Sequence, residues 1–367
     1  MTQKQNSIFY GWKIVFVMAI TSSMTMALGT LNFGLFIKPM GDELLIGRSY
    51  FGWASTARQI VGGLTSPILG PWIDKYGARI LLPIGVTITG IGLILLGFNS
   101  SGIIMILIFG AIGITSLGGP GALITTVPIS KWFVEKRGKA LAITSLGVPI
   151  GAMIFVPLTQ FFIDISGWRN TWIIFGFISI LIIIPPALWL LRRQPEDMGL
   201  VPDGELIESK NLKDKETSWE FEEAFKTRVF WKITFCLTAI SIATGTIAIH
   251  RIPAFMDRGL EPQLIALATA FDAVCAGIST FFVGNLVKKL GIRLLGTLSF
   301  LFLAIASIIT IYAYSFWVIF ISMAIFGLGI GGLMFIHSFI WADYFGRKNL
   351  GTIRGKITPF ILSLIHI

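Results

Sequence analysis

Two ionisable side chains stand deep inside long apolar stretches of this 367-residue chain, Arg58 and Asp272. A guanidinium held away from water offers a planar fork of donors that fits a carboxylate. A carboxyl in the same surroundings has its charged form disfavoured, which suits it to taking up and releasing a proton. One group to hold an anion and one to carry a proton is chemistry for moving a solute rather than for making bonds. Each residue also has a structural reading. Arg58 would be tied to helix-end dipoles, and Asp272 would be paired within its own half of the chain or with Arg58.

A repeated motif relates the two. Gly70-Pro71-Trp72-Ile73-Asp74-Lys75-Tyr76-Gly77-Ala78-Arg79 recurs in degraded form 214 residues later as Gly284-Asn285-Leu286-Val287-Lys288-Lys289-Leu290-Gly291-Ile292-Arg293. Glycine, charge, glycine and arginine keep their offsets. Arg58 and Asp272 each lie 12 residues before the first glycine of their own copy. At ~1.5 Å of rise per helical residue that is ~18 Å from the charged turn, near mid-membrane. Opposite charges at equivalent positions of two halves are expected to form a site at the repeat interface.

The elements that position these residues are membrane helices. The chain is 54% hydrophobic and 13% charged, with mean hydropathy +0.81, too much apolar surface for a water-soluble domain to bury. Ten apolar stretches reach spanning length: 14–36, 50–72, 80–98, 103–127, 140–163, 171–191, 231–250, 263–287, 293–312 and 316–339. An eleventh starts near Lys356. They are helices, because lipid leaves a lone strand's backbone unsatisfied. Glycines and Pro120, Pro128, Pro149 and Pro157 allow close approach and bending. The first stretch resembles a signal peptide, but the repeat requires it as a helix.

The net charge of +10 follows from topology. With the N-terminus cytoplasmic, the inner segments hold 23 of the 29 Lys and Arg and 13 of the 19 Asp and Glu. The excess is all on the inner side, as membrane insertion demands, so no nucleic-acid partner is implied. Cys236 and Cys275 lie within spans, with no disulfide or metal spacing. No nucleophile–base set, metal cluster or phosphate loop appears, so neither an enzyme nor a cofactor is expected. Trp53, Trp189, Trp317 and Trp341 read as interfacial anchors.

Residues 192–230 form a polar segment between two halves. Within it Trp219-Glu220-Phe221-Glu222-Glu223-Ala224-Phe225-Lys226 reads equally as a short surface helix or part of a loose tether.

At this point the residues resemble the Major Facilitator Superfamily. The Gly70 motif is similar to its signature between helices two and three, and the Gly284 copy sits where the second half should repeat it. Within the superfamily, Tyr10-Gly11-Trp12, Lys131-Trp132-Phe133-Val134-Glu135-Lys136-Arg137-Gly138-Lys139-Ala140, Pro195–Gly204 and the stretch from Ile249 to Gly259 resemble the monocarboxylate porter and oxalate:formate antiporter group. The resemblance implies an all-α polytopic membrane protein of twelve helices in two pseudo-symmetric six-helix bundles. The N-terminal bundle would be 1–191, the central loop 192–230, and the C-terminal bundle 231–361, cut off in helix eleven. It also implies a conformational latch at Gly70, Asp74, Lys75, Gly77, Arg79, Arg137, Gly284 and Arg293. The replacement of Asp74 by Lys288 in the copy makes that latch one-sided. The group often carries arginine four residues after the helix-eight aspartate; here that position is Ala276.

The expected function is alternating-access transport of a small organic anion in the cell membrane, coupled to protons or a counter-anion. Arg58, Asn32 and Thr126 would bind the anion, and Asp272 would couple. His250 and Arg251 would stand at the outer mouth. Membrane lipid is the only other expected partner. A carrier of neutral or cationic solutes and a non-transporting sensor are the rival readings. Residues 362–367 read as a translated sequencing adaptor, with the gene expected to continue.

Overall fold

The computed structural model describes residues 9–25, 30–115, 122–204 and 219–363. The cleavage-like segment around 27, the glycine cluster at 118–121, the middle of the central loop and residues 364–367 of the adaptor reading lie outside them. Among the described residues the regular structure is helical. It comprises α1 (Gly11–Thr25), α2 (Thr30–Leu44), α3 (Arg48–Tyr76), α4 (Ala78–Gly97), α5 (Gly102–Gly113), α6 (Leu123–Trp132), α7 (Arg137–Leu190), α8 (Phe221–Phe225), α9 (Arg228–Asp257), α10 (Pro262–Leu290), α11 (Ile292–Ile311), α12 (Phe316–Phe345) and α13 (Leu350–Ser363).

All ten apolar stretches carry helix, with instructive differences. The first span is divided between α1 and α2, and the fourth between α5 and α6. The fifth and sixth run together as the 54-residue α7, broken at Gly167 (φ 77°, ψ 164°). The signature's second glycine has a backbone task in both copies. Gly77 and Gly291 each take φ 75°, a value that disfavours any side chain, and each ends one helix while starting the next. The surface-helix reading of 219–226 is met only by the five-residue α8, closed by a capping box between Glu220 and Glu223.

Helices α1–α7 pack mainly among themselves, and α10–α12 do likewise with α9 beside them, giving two bundles, while α13 lies chiefly against α3 of the other. They meet along two seams, α3 against α13 and α7 against α10. Phe235, Met153, Leu181, Trp189 and Trp317 face outward, as side chains in contact with lipid do. Trp341 corrects its expected place at the interface. It is fully buried, with the rings of Phe230 from α9 and Phe345 packed against it at 5.6 and 6.1 Å.

Candidate substrate site and its closure

The upper charged level lies where Asp272 was expected to work. Asp272 is buried in α10 and receives a hydrogen-bonded ion pair from the Nη2 of Arg251. The same guanidinium lies over the Phe326 ring, 4.2 Å from its centre. Asp272 Oδ1 and Arg251 Nε have no hydrogen-bond partner among the described residues. Gly327 brings α12 against this turn, since a Cβ there would stand 2.2 Å from the Asp272 carbonyl.

Arg251 therefore departs from its expected position at the outer mouth. Helix α9 continues past residue 250 to Asp257, which carries Arg251 into the protein interior, whereas His250 stays exposed. Although Ala276 leaves α10 without an arginine at that position, Asp272 is paired with one from the neighbouring helix α9. The acid's partner lies within its own bundle.

Arg58 is half-buried in α3, where Gly113 of α5 packs against its backbone. Asn32 is fully buried in α2.

A lower charged level was missed. Arg354 lies in the first turns of α13, 3% exposed, and its Nη1 donates to the Thr126 hydroxyl of α6 in the other bundle. Thr126 in turn donates to the Ala122 carbonyl at 2.9 Å. Arg354 escaped notice because it sits in a run of charges, Arg347 to Lys356, that reads as an inner loop. Helix α13 starts at Leu350 rather than near Lys356, so Arg354 lies inside the bundle instead of before it.

The reason for that early start is Asp74. Its Oδ1 accepts the Gly351 N–H at 3.1 Å, and its Oδ2 accepts the Thr352 N–H at 2.7 Å and hydroxyl at 2.9 Å. A carboxylate placed on free N–H groups at a helix start satisfies orphan donors and the helix dipole together. Lys131 of α6 holds the same carboxylate at 3.0 Å, with both side chains largely buried. Beside it the backbones touch. A Cβ on Gly70 would lie 2.2 Å from the Gly351 oxygen.

The second seam repeats this contact without the acid. A Cβ on Gly138 would lie 2.5 Å from the Gly284 oxygen, while Lys288 and Glu135 form an exposed pair at 3.6 Å. Arg137 adds a buried link, donating to the Phe133 carbonyl at 3.0 Å and, across the bundles, to the Ala342 carbonyl at 3.2 Å. Other latch candidates act locally. Arg79 Nε donates to the Leu188 carbonyl, Lys75 lies over the Tyr76 ring, and Arg293 Nε donates to the Tyr344 hydroxyl.

Three motifs far apart in sequence converge on this end. The Tyr10 and Trp12 rings pack on Trp132 and Phe133, 5.5 and 5.0 Å apart. Asp203, in the left-handed region at φ 62°, accepts the N–H groups of Val134, Glu135 and Lys136 at 2.9, 2.7 and 2.9 Å. It thereby fixes the approach to α7. The Pro195–Gly204 segment so anchored presents Glu196 to Arg347 at 2.6 Å, while Arg347 also donates to the Lys131 carbonyl. Nearby, Arg193 hydrogen bonds to Asp197 and holds that carboxyl below its ordinary value.

Comparison with known proteins agrees with this architecture. The family model described as Major Facilitator Superfamily matches residues 15–364. A relative from Bacillus subtilis (strain 168), the uncharacterized MFS-type transporter YcxA, is 21% identical over 264 residues, 71% of this chain. The match spans 62% of that relative's length. The crystal structure of a double tryptophan mutant of XylE superposes with a TM-score of 0.70 at 13% identity, covering 98% of this chain and 87% of that one. That likeness is one of fold. Signature, repeat, seams and family model lead to one assignment: this multi-pass membrane chain belongs to the Major Facilitator Superfamily.

Proposed function

We propose that the protein is a secondary active transporter that moves a small organic anion across the cell membrane by alternating access, with its N-terminus cytoplasmic. The observation that carries the choice of an anion is the charge of the interior. Within the spans Arg58, Arg251 and Arg354 stand against Asp272 as the one buried acid among the described residues. A positive interior of low dielectric attracts anions and repels cations. Asp272 already has an arginine at its carboxylate, which disfavours the reading of Asp272 as a cation binder.

In this reading the Asp74 end is cytoplasmic and closed. Arg58 meets the substrate carboxylate, with Asn32 as a further contact, while Thr126 is engaged by Arg354 at the lower level. Asp272 couples transport to a proton, exchanging Arg251 for the proton when the bundles rock. Exchange against a second anion is the alternative mode of coupling.

The test is uptake into proteoliposomes of a labelled panel of mono- and dicarboxylates, a neutral sugar and an organic cation. Carboxylate uptake that other carboxylates inhibit, and that Arg58→Ala abolishes with protein still in the membrane, is the expected result. Uptake of the sugar or cation alone, or wild-type-like carboxylate uptake by Arg58→Ala, overturns the reading.

A further inference from the structure

Where the fourth span divides between α5 and α6, the N-terminal bundle holds a cavity of about 150 Å³. Ile73 of α3, Leu81 of α4, and Leu123 and Ile124 of α6 are buried along its floor. Trp72, Ile84, Ile88 and Ile114 stand exposed at its rim, so it opens on the side that meets lipid. The Thr115 hydroxyl on its wall donates to the Ile112 carbonyl at 2.8 Å and lies 3.3 Å from that of Thr89, so it is engaged within the protein.

Such walls call for an apolar occupant. Protein interiors hold few voids larger than a water molecule, and an apolar cavity of about 150 Å³ stays dry. In a bilayer the material at its mouth is acyl chain. A cation marks one end of the cavity. Helix α3 exposes Leu64, Ile68, Trp72 and Tyr76 at intervals of four residues, a stripe that runs past the cavity towards the Asp74 end. There the exposed Lys75 holds its ammonium 5.0 Å from the centre of the Tyr76 ring. Lys75 lies three residues past Trp72, ~4.5 Å along the helix. A lysine stem covers apolar surface while its ammonium reaches headgroup level, and a cation at that level attracts lipid phosphate.

We infer that this cavity is a phospholipid site. One acyl chain from the leaflet on the Asp74 side fills it, and the phosphate of the same molecule sits at Lys75. General surface lipid touches only exposed side chains, whereas this chain reaches Leu123 and Ile124, which are 5% and 4% exposed. The bound chain completes the packing among α3, α4 and α6 that their side chains leave open. The site is independent of the organic-anion reading above, because it lies on the flank of one bundle and not between the two.

The experiment uses the full chain in nanodiscs that contain phosphatidylglycerol with a diazirine midway along one acyl chain, or diacylglycerol with the same chain. After illumination, adducts are located by mass spectrometry. Phosphatidylglycerol is expected to label Leu123 or Ile124, with Leu107, an exposed residue of α5 outside the cavity, as the measure of general lipid contact. Ile88→Trp, which puts an indole at the rim, should lower labelling of Leu123 and Ile124 about fivefold and leave Leu107 unchanged. Lys75→Gln, and the diacylglycerol probe on the wild type, should each lower it about threefold. Adducts confined to exposed residues such as Leu107 overturn the site. So does labelling of Leu123 and Ile124 that Ile88→Trp leaves unchanged, or that the two probes give equally. Should Ile88→Trp fail to fold, Lys75→Gln and the diacylglycerol probe decide.

Discussion

The carboxylate of Asp74 caps a helix that begins hundreds of residues later, accepting the Thr352 N–H at 2.7 Å across a separation of 278 residues. Lys131 holds the same carboxylate at 3.0 Å, so one side chain joins α3, α6 and α13. Asp74→Asn keeps the shape and removes the charge. Hydrogen bonds to a charged group contribute ~1.5–3 kcal/mol, so losing the charge should favour opening by about ten- to hundredfold. Hydrogen exchange of the amides of 350–354 in nanodiscs reads this directly. Exchange as slow as in the wild type would show that the cap is not what keeps this end shut.

Glycine contact is the second component of closure. A Cβ at Gly70 meets the Gly351 oxygen at 2.2 Å, and one at Gly284 meets the Ala142 side chain at 2.4 Å and the Gly138 oxygen at 2.8 Å. Backbone atoms cannot yield as a flexible side chain can, and overpacking costs ~1–3 kcal/mol. Gly70→Ala and Gly284→Ala should each widen their own seam, read as a longer distance between spin labels on α3 and α13 or on α7 and α10. Gly34→Ala, with nothing within 4 Å of the added methyl, is the neutral control. Unchanged distances in both seam variants refute this account.

Arg251 and Asp272 are partners in a buried pair, so their substitutions should not be additive. Removing one partner leaves the other charge buried and uncompensated, which costs ~3–5 kcal/mol, whereas removing both is much milder. Arg251→Ala and Asp272→Ala should each lower the thermal midpoint more than the double variant does. If the double variant loses the sum of the two single losses, the pair does not act as a unit.

At the opposite end Glu43 accepts from Trp168 Nε1 at 2.6 Å and Arg169 Nε at 2.9 Å, clasping the end of α2 to the middle of α7. The Arg169 bond first, then the Trp168 bond, holds the Glu43 carboxyl below its ordinary value of 4.5. The folded form releases this proton more readily than the unfolded form does. The clasp's contribution is therefore complete above pH 4.5 and is lost as pH falls through the lower folded value. Thermal stability should decline on that acid limb, and Glu43→Gln should flatten it. The pair is half-exposed, so the effect is small. An acid limb identical in the two proteins would remove Glu43 from the explanation.

Much of this protein was legible in one dimension. Lipid forces every span to satisfy its backbone internally, so apolar length alone yields the helices, and their charged ends yield the orientation expected of them. The Gly70 motif and its copy gave the two-fold plan, because a duplicated bundle repeats its turn chemistry. Helix ends were less legible. Arg251 and Arg354 both read as loop residues, since hydropathy cannot distinguish a charge in water from one buried against a partner. Only the tertiary structure could make that distinction. It brought Asp272 to Arg251, Thr126 to Arg354 and Asp74 to Thr352. It also showed that Gly138 meets Gly284 although the copy lacks its acid. Contacts between helices are set by the close approach of backbones from distant parts of the chain, and local sequence carries no record of which faces meet.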